Sequence, residues 1–182
     1  MTRSKKWVYA FSEGDGSDKM LLGGKGANLC EMTRIGLPVP PGFVVTTAAC
    51  LEYLKEGRLP EGLIDEVHAQ LRRVEEATGK RFGAARDPLL VSVRSGSAMS
   101  MPGMMDTILN LGLNEASLSG LIEATGNPRF GWDAYRRLIQ LFGKVALGVP
   151  DELFDRAMVL LKQEAGARQD IDLSAEHLQQ LA

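Results

Sequence analysis

The stretch Leu89-Leu-Val-Ser-Val-Arg-Ser-Gly-Ser-Ala-Met-Ser-Met-Pro-Gly-Met-Met-Asp-Thr-Ile-Leu-Asn-Leu-Gly-Leu113 decides how this chain is read. Leu89, Leu90, Val91 and Val93 make a short apolar, β-branched run between Asp87-Pro88 and Ser95-Gly96, which predicts a strand. At the strand end Arg94 enters a loop of Gly, Ser and Met, and a second apolar run, Thr107 to Leu111, resumes the chain. The loop is therefore expected to be pinned at both ends. Pinned glycine-rich loops beside a cation are a common way to hold phosphate. A guanidinium leaving an apolar strand needs a counter-charge, and two are open to it: a salt bridge to a carboxylate, or bidentate contact with phosphate.

Four of the eight methionines, Met99, Met101, Met104 and Met105, fall in this loop around Pro102 and Gly103. Helical spacing does not account for them across Pro-Gly. They read either as gap fillers beneath the loop or as a lid with a flat apolar contact for a ligand ring. Asp106 is the only carboxylate there, and one carboxylate does not make a magnesium site.

Upstream, Trp7 to Phe11 predicts a strand, ended by the turn-rich Ser12 to Asp18. Leu22-Gly23-Gly24-Lys25-Gly26-Ala27-Asn28-Leu29 follows, and the spacing of Leu29, Met32 and Ile35 predicts a helix from here, stopped by Gly36 and Pro38. A lysine at a glycine-rich helix start can meet a phosphate with its ammonium, helped by the helix dipole and free backbone donors. It can equally be an exposed turn lysine. The phosphate-loop pattern fails, with Lys19 in place of its first glycine and Gly26 in place of its Ser or Thr, and the dinucleotide fingerprint lacks its third glycine. Pro38 to Pro41 leads into a strand at Gly42 to Thr46, Thr46 or Thr47 can cap a helix to about Glu56, and Glu61 to Thr78 has helical spacing closed by Gly79. His68, beside that apolar stripe, is expected at the surface.

Downstream of residue 113 the pattern turns wholly helical. Asn114 caps a short helix broken at Gly126-Asn127-Pro128, a second runs from about Arg129 to Leu147, and a third follows with Pro150 in its first turn. Gly166 to Asp172 reads as a linker and Ser174 as the N-cap of a last helix, within which His177 has no evident partner. Residues 1–113 and 114–182 are accordingly expected to form a mixed strand and helix subdomain and a helical subdomain, and the last helix without a stop signal suggests a chain cut from something longer.

Twenty-one Lys and Arg against 23 Asp and Glu give a net charge of −2, so nucleic-acid or membrane binding through a general basic patch is not expected and any anion must be met by local charge. Cys30 and Cys50 have no metal or redox spacing and read as buried reduced thiols. A signal peptide and a membrane span are absent from the pattern, so a cytoplasmic protein is expected.

Leu22 to Leu29, Pro40-Pro41-Gly42-Phe43, Val91-Ser92-Val93-Arg94-Ser95-Gly96 and above all Ser100-Met101-Pro102-Gly103-Met104-Met105-Asp106-Thr107 resemble the N-terminal region of the pyruvate, phosphate dikinase family. The likeness continues through Asn127-Pro128-Arg129-Phe130 and Tyr135-Arg136-Arg137. The resemblance implies an α+β fold, part of an ATP-grasp N-terminal subdomain with an inserted helical subdomain. It implies Lys25 and Arg94 on the ATP phosphates, with Gly24, Ser95, Gly96, Gly103, Met104 and Arg137 as further loop, lid or phosphate-facing candidates. Ser97-Ala98 stand where many members have Ala-Arg, so a second loop arginine is not expected. The implied enzyme converts ATP, phosphate and pyruvate to AMP, diphosphate and phosphoenolpyruvate through a phosphohistidine on a separate domain, with magnesium on the ATP and the full-length protein a homodimer. The carrier histidine, the pyruvate domain and the acidic metal ligands are expected outside these residues, leaving the chain alone inactive. A phosphoenolpyruvate synthase, or a stand-alone nucleotide-sensing or partner-binding module, is the alternative.

Overall fold

The computed structural model describes residues 5–96 and 106–182. The methionine loop, with Gly103 and Met104, lies outside the described residues. Two compact units divide the chain: residues 5–79 with Ser95 and Gly96, and residues 80–94 with 106–182.

The first unit is built on a two-stranded antiparallel ladder. β1 (Val8–Ala10) pairs with β2 (Phe43–Val45) in the register Val8↔Val45, Tyr9↔Val44, Ala10↔Phe43. α1 (Lys19–Arg34) connects the two strands, and α2 (Thr47–Glu56) and α3 (Leu63–Thr78) follow them. The Glu66 carboxylate on α3 accepts from the backbone N–H groups of Trp7 at 2.9 Å and Val8 at 2.8 Å, and Trp7 Nε1 donates to the Glu61 carbonyl at 3.0 Å. α3 thus satisfies donors at the β1 start that would otherwise be costly to bury. Trp7, Val8, Ala49 and Leu63 form one core cluster, and Leu22, Ala27 and Cys30 another, packed by Tyr9, Phe11 and Val44.

α1 begins earlier than the apolar spacing predicts. Asp18 caps it, its side chain accepting from Leu21 N–H at 2.9 Å, and the glycine pair interrupts a helix already under way. Of the two threonines after β2, Thr46 is the cap, 1% exposed, its hydroxyl accepting from Ala49 N–H at 3.2 Å. Cys30 is buried as expected. Cys50 is exposed, because Ala49 takes the buried face of α2 and the next residue is turned about 100° away from it.

In the second unit the expected strand from Leu89 is two. β3 (Arg81–Phe82) pairs in parallel with β4 (Pro88–Leu89), and β5 (Val91–Arg94) pairs antiparallel with β6 (Thr107–Leu111). The ladder Val93↔Ile108, Arg94↔Thr107 holds both ends of the intervening segment on neighbouring strands, with a register shift between Val91 and Val93. β6 packs on α5 (Pro128–Leu147), where Ile108, Leu113, Ala134 and Leu138 form the core.

The remaining helices are α4 (Glu115–Thr125), α6 (Asp151–Ala165) and α7 (Ala175–Leu181), with a 3-10 turn at Asp170–Asp172 inside the expected linker. Asn114 and Ser174 are N-caps as predicted; Asn127, expected only as part of a helix break, is the N-cap of α5, and Pro150 stands at the N-cap of α6, one residue before its first turn. Leu161, Leu173 and Leu178 close a second core. Mixed helices with small sheets give the expected α+β class. No helix among the described residues is long and apolar enough to cross a membrane.

Candidate functional site

Lys25 stands just past a break in α1. Gly23 adopts φ 68 and ψ 161 inside the helix, a left-handed conformation that favours glycine, and the helix resumes at Gly24. That ψ turns the Gly24 N–H away from the Met20 carbonyl, its partner in a straight helix. The Thr47 hydroxyl on α2 donates instead to the carbonyls of Met20 and, at 3.3 Å, Leu21. These are the two acceptors that a continuous helix would offer to the amides of Gly24 and Lys25.

Beyond the break, α1 lies close on β2. A Cβ added to Gly26 would stand 2.8 Å from Val44 Cγ1, and Ala27 is fully buried. Leu22, Gly23, Gly26, Ala27 and Cys30 make the buried face and leave Lys25 half-buried beside it. Among the described residues the Lys25 side chain has no hydrogen-bond or ion-pair partner.

Arg94 ends β5 and is exposed, and its Nε donates to Ser92 Oγ at 3.4 Å. Of the two counter-charges the sequence allowed it, no carboxylate is paired with it among the described residues. Ser95 and Gly96 are exposed, with open space around a Cβ added at Gly96. Arg137, by contrast, is committed: its Nε lies 3.0 Å from Asp133 Oδ2, one helical turn back on α5.

Beside Arg137 the neighbouring Arg136 is buried, 8% exposed, with a guanidinium nitrogen 2.7 Å from Asp133 and 3.6 Å from Asp170. Arg129 donates to the carbonyls of Leu173 at 2.9 Å and Asp170 at 2.7 Å. These arginines are structural clamps between α5 and the segment before α7. The burial of Arg136 was signalled only by Asp133 three residues earlier.

His68 is exposed. His177 has the partner its sequence did not suggest: its Nδ1 accepts from Ser174 N–H at 3.2 Å while its own N–H donates to Ser174 Oγ at 3.3 Å, a reciprocal cap on α7. No three His, Cys, Asp or Glu side chains converge among the described residues. Burial pushes the Cys30 thiol up, away from thiolate chemistry.

Residues 19–66, from the start of α1 into α3, match the family model described as "Pyruvate phosphate dikinase, AMP/ATP-binding domain". The chain is 55% identical over 176 residues to the pyruvate, phosphate dikinase of Entamoeba histolytica, covering 96% of this chain and 20% of that protein. Against the Clostridium symbiosum enzyme the identity is 51% over 178 residues, 97% of this chain and 20% of the relative. Against the chloroplastic enzyme of Flaveria pringlei it is 50% over 186 residues, all of this chain and 19% of the relative. The chain thus spans about a fifth of the length of the relatives it matches. Over nearly the whole of its length it is about half identical to part of these pyruvate, phosphate dikinases.

Proposed function

We propose that this chain is the nucleotide-binding part of a pyruvate, phosphate dikinase in which Lys25 and Arg94 hold the phosphates of ATP. The observation that carries the reading is the AMP/ATP-binding family match over residues 19–66, which lies across the broken helix bearing Lys25. Arg94 supports it, since it leaves its strand with no carboxylate paired among the described residues. Phosphoryl transfer is governed by positioning and charge neutralisation, for which an ammonium and a guanidinium are suited. Gly24, Ser95 and Gly96 allow close backbone approach, Gly103 and Met104 belong to the proposed lid, and Arg137 is a further phosphate-facing candidate once released from Asp133.

In this reading residues 1–113 are part of an ATP-grasp N-terminal subdomain and residues 114–182 a helical insertion. The whole protein converts ATP, phosphate and pyruvate to AMP, diphosphate and phosphoenolpyruvate. A histidine on another domain carries the phosphoryl group to a third, in a cytoplasmic homodimer. Magnesium accompanies the ATP and neutralises phosphate charge, with its protein ligands outside the residues described.

Calorimetric titration of the full-length protein with MgATP tests the site. Lys25→Ala and Arg94→Ala should each weaken binding by about 10- to 100-fold, as expected for losing a hydrogen bond to a charged group worth about 1.5–3 kcal/mol. Unchanged affinity in both variants would overturn the assignment.

A further inference from the structure

Resting on the phosphate role proposed for Lys25, we infer that Thr47 is the positioning residue for that lysine: its hydroxyl holds the break in α1 that sets where Lys25 stands. A positive φ with an extended ψ in the middle of a helix unties backbone hydrogen bonds, and such a break closes up or frays unless the freed groups find partners. Thr47 Oγ1 supplies the partner, donating to the carbonyls of Met20 and Leu21 on the near side of Gly23. The bond spans 27 residues of sequence, so it fastens the break to the first turn of α2 rather than to a local turn.

Two further observations make Thr47 suited to this and free for it. The helix-capping duty at this point falls to Thr46, whose hydroxyl serves Ala49 N–H, so the Thr47 hydroxyl is not needed by its own helix. On the far side of the break, Gly26 is in close contact with Val44 and Ala27 is fully buried. The chain between the Thr47 strap and this contact is Leu22 to Lys25, and with both ends fixed the lysine has one place to emerge. Thr47 touches no phosphate in this account; it acts through Lys25.

The test uses Thr47→Val, which keeps the branched shape and removes the donor, and Thr47→Ser, which keeps the donor. MgATP titrations of the full-length protein should show about a tenfold loss of affinity in Thr47→Val, the upper range for one neutral hydrogen bond, and near wild-type affinity in Thr47→Ser. In a Lys25→Ala background Thr47→Val should bring no further loss, because its effect passes through the lysine. Amide hydrogen exchange should quicken over residues 19–26 and stay unchanged over 28–34. Wild-type affinity in Thr47→Val would overturn the inference. So would an equal loss with and without Lys25, or global unfolding of Thr47→Val, either of which would make the hydroxyl a general fold element. If Lys25→Ala itself binds MgATP normally, the phosphate reading fails; if only Lys25→Ala weakens binding, the phosphate reading stands and the role of Thr47 fails.

Discussion

Glu13 receives Lys6 Nζ at 2.8 Å and Arg73 Nη1 at 2.8 Å, and the Lys6 bond, helped by Arg73, holds its carboxyl at about 2, below the ordinary value of 4.5. A carboxyl lowered on folding adds stability that is present above the unfolded value and disappears as pH falls through the folded one. Glu13→Gln should therefore lower stability at neutral pH, and the gap to wild type should close between pH 4.5 and about 2, as read by urea unfolding at a series of pH values. A gap that stays constant through that window would refute the role of charge. Nothing near Glu13 announces Arg73, 60 residues away, because an ion pair between elements depends on how they pack. Arg94 was legible for the opposite reason: the end of an apolar run fixes its place at the end of a strand from local pattern alone. Its lack of a carboxylate partner needed coordinates. Thr47 shows the limit within a single dipeptide, since the sequence offers two equivalent hydroxyls and only the path of α1 decides which one caps and which one straps.

Among the elements, the helices with strong caps were readable. Asn114 and Ser174 each accept from an N–H in the first turn, and that chemistry is local. The two-residue strand β3 and its pairing with β4 were not, because a pair so short is set by its neighbours rather than by periodicity. The same neighbours explain Gly120 in α4, where an added Cβ would overlap the Ala85 carbonyl. Helix propensity alone favours Gly120→Ala by about 1 kcal/mol. Close packing opposes it, and overpacking at such a contact costs about 1–3 kcal/mol. Gly120→Ala should accordingly be destabilising in urea unfolding, against the propensity trend; a stabilised variant would show that α4 does not lie on the backbone of residues 85–86. Gly112, with φ 112 and a Cβ position 2.5 Å from the Leu89 carbonyl, owes its identity to the same crowding around β4.

At the scale of the whole molecule, a net charge of −2 means that nucleotide affinity has to come from a few placed cations, and Lys25 and Arg94 are the ones this family reading selects. Two cations can orient and neutralise a triphosphate, yet the proposed reaction also needs a histidine that accepts the phosphoryl group and a site for pyruvate. Both of these are proposed to lie outside the present residues; of the two histidines here, His177 is occupied in capping α7 through its Nδ1. The chain matches about a fifth of the length of its relatives, which leaves ample sequence in them for carrier and acceptor domains. The full-length protein, given MgATP, phosphate and pyruvate, should therefore form phosphoenolpyruvate and diphosphate and stop when phosphate is omitted. The 182-residue chain under the same conditions should form neither. Coupled detection of phosphoenolpyruvate and direct detection of diphosphate separate the outcomes. Turnover by full-length protein without added phosphate, releasing phosphate instead of diphosphate, would move the proposal to a synthase that uses water; phosphoenolpyruvate formed by the 182-residue chain alone would place the carrier and acceptor chemistry within these residues and overturn the division of labour proposed here.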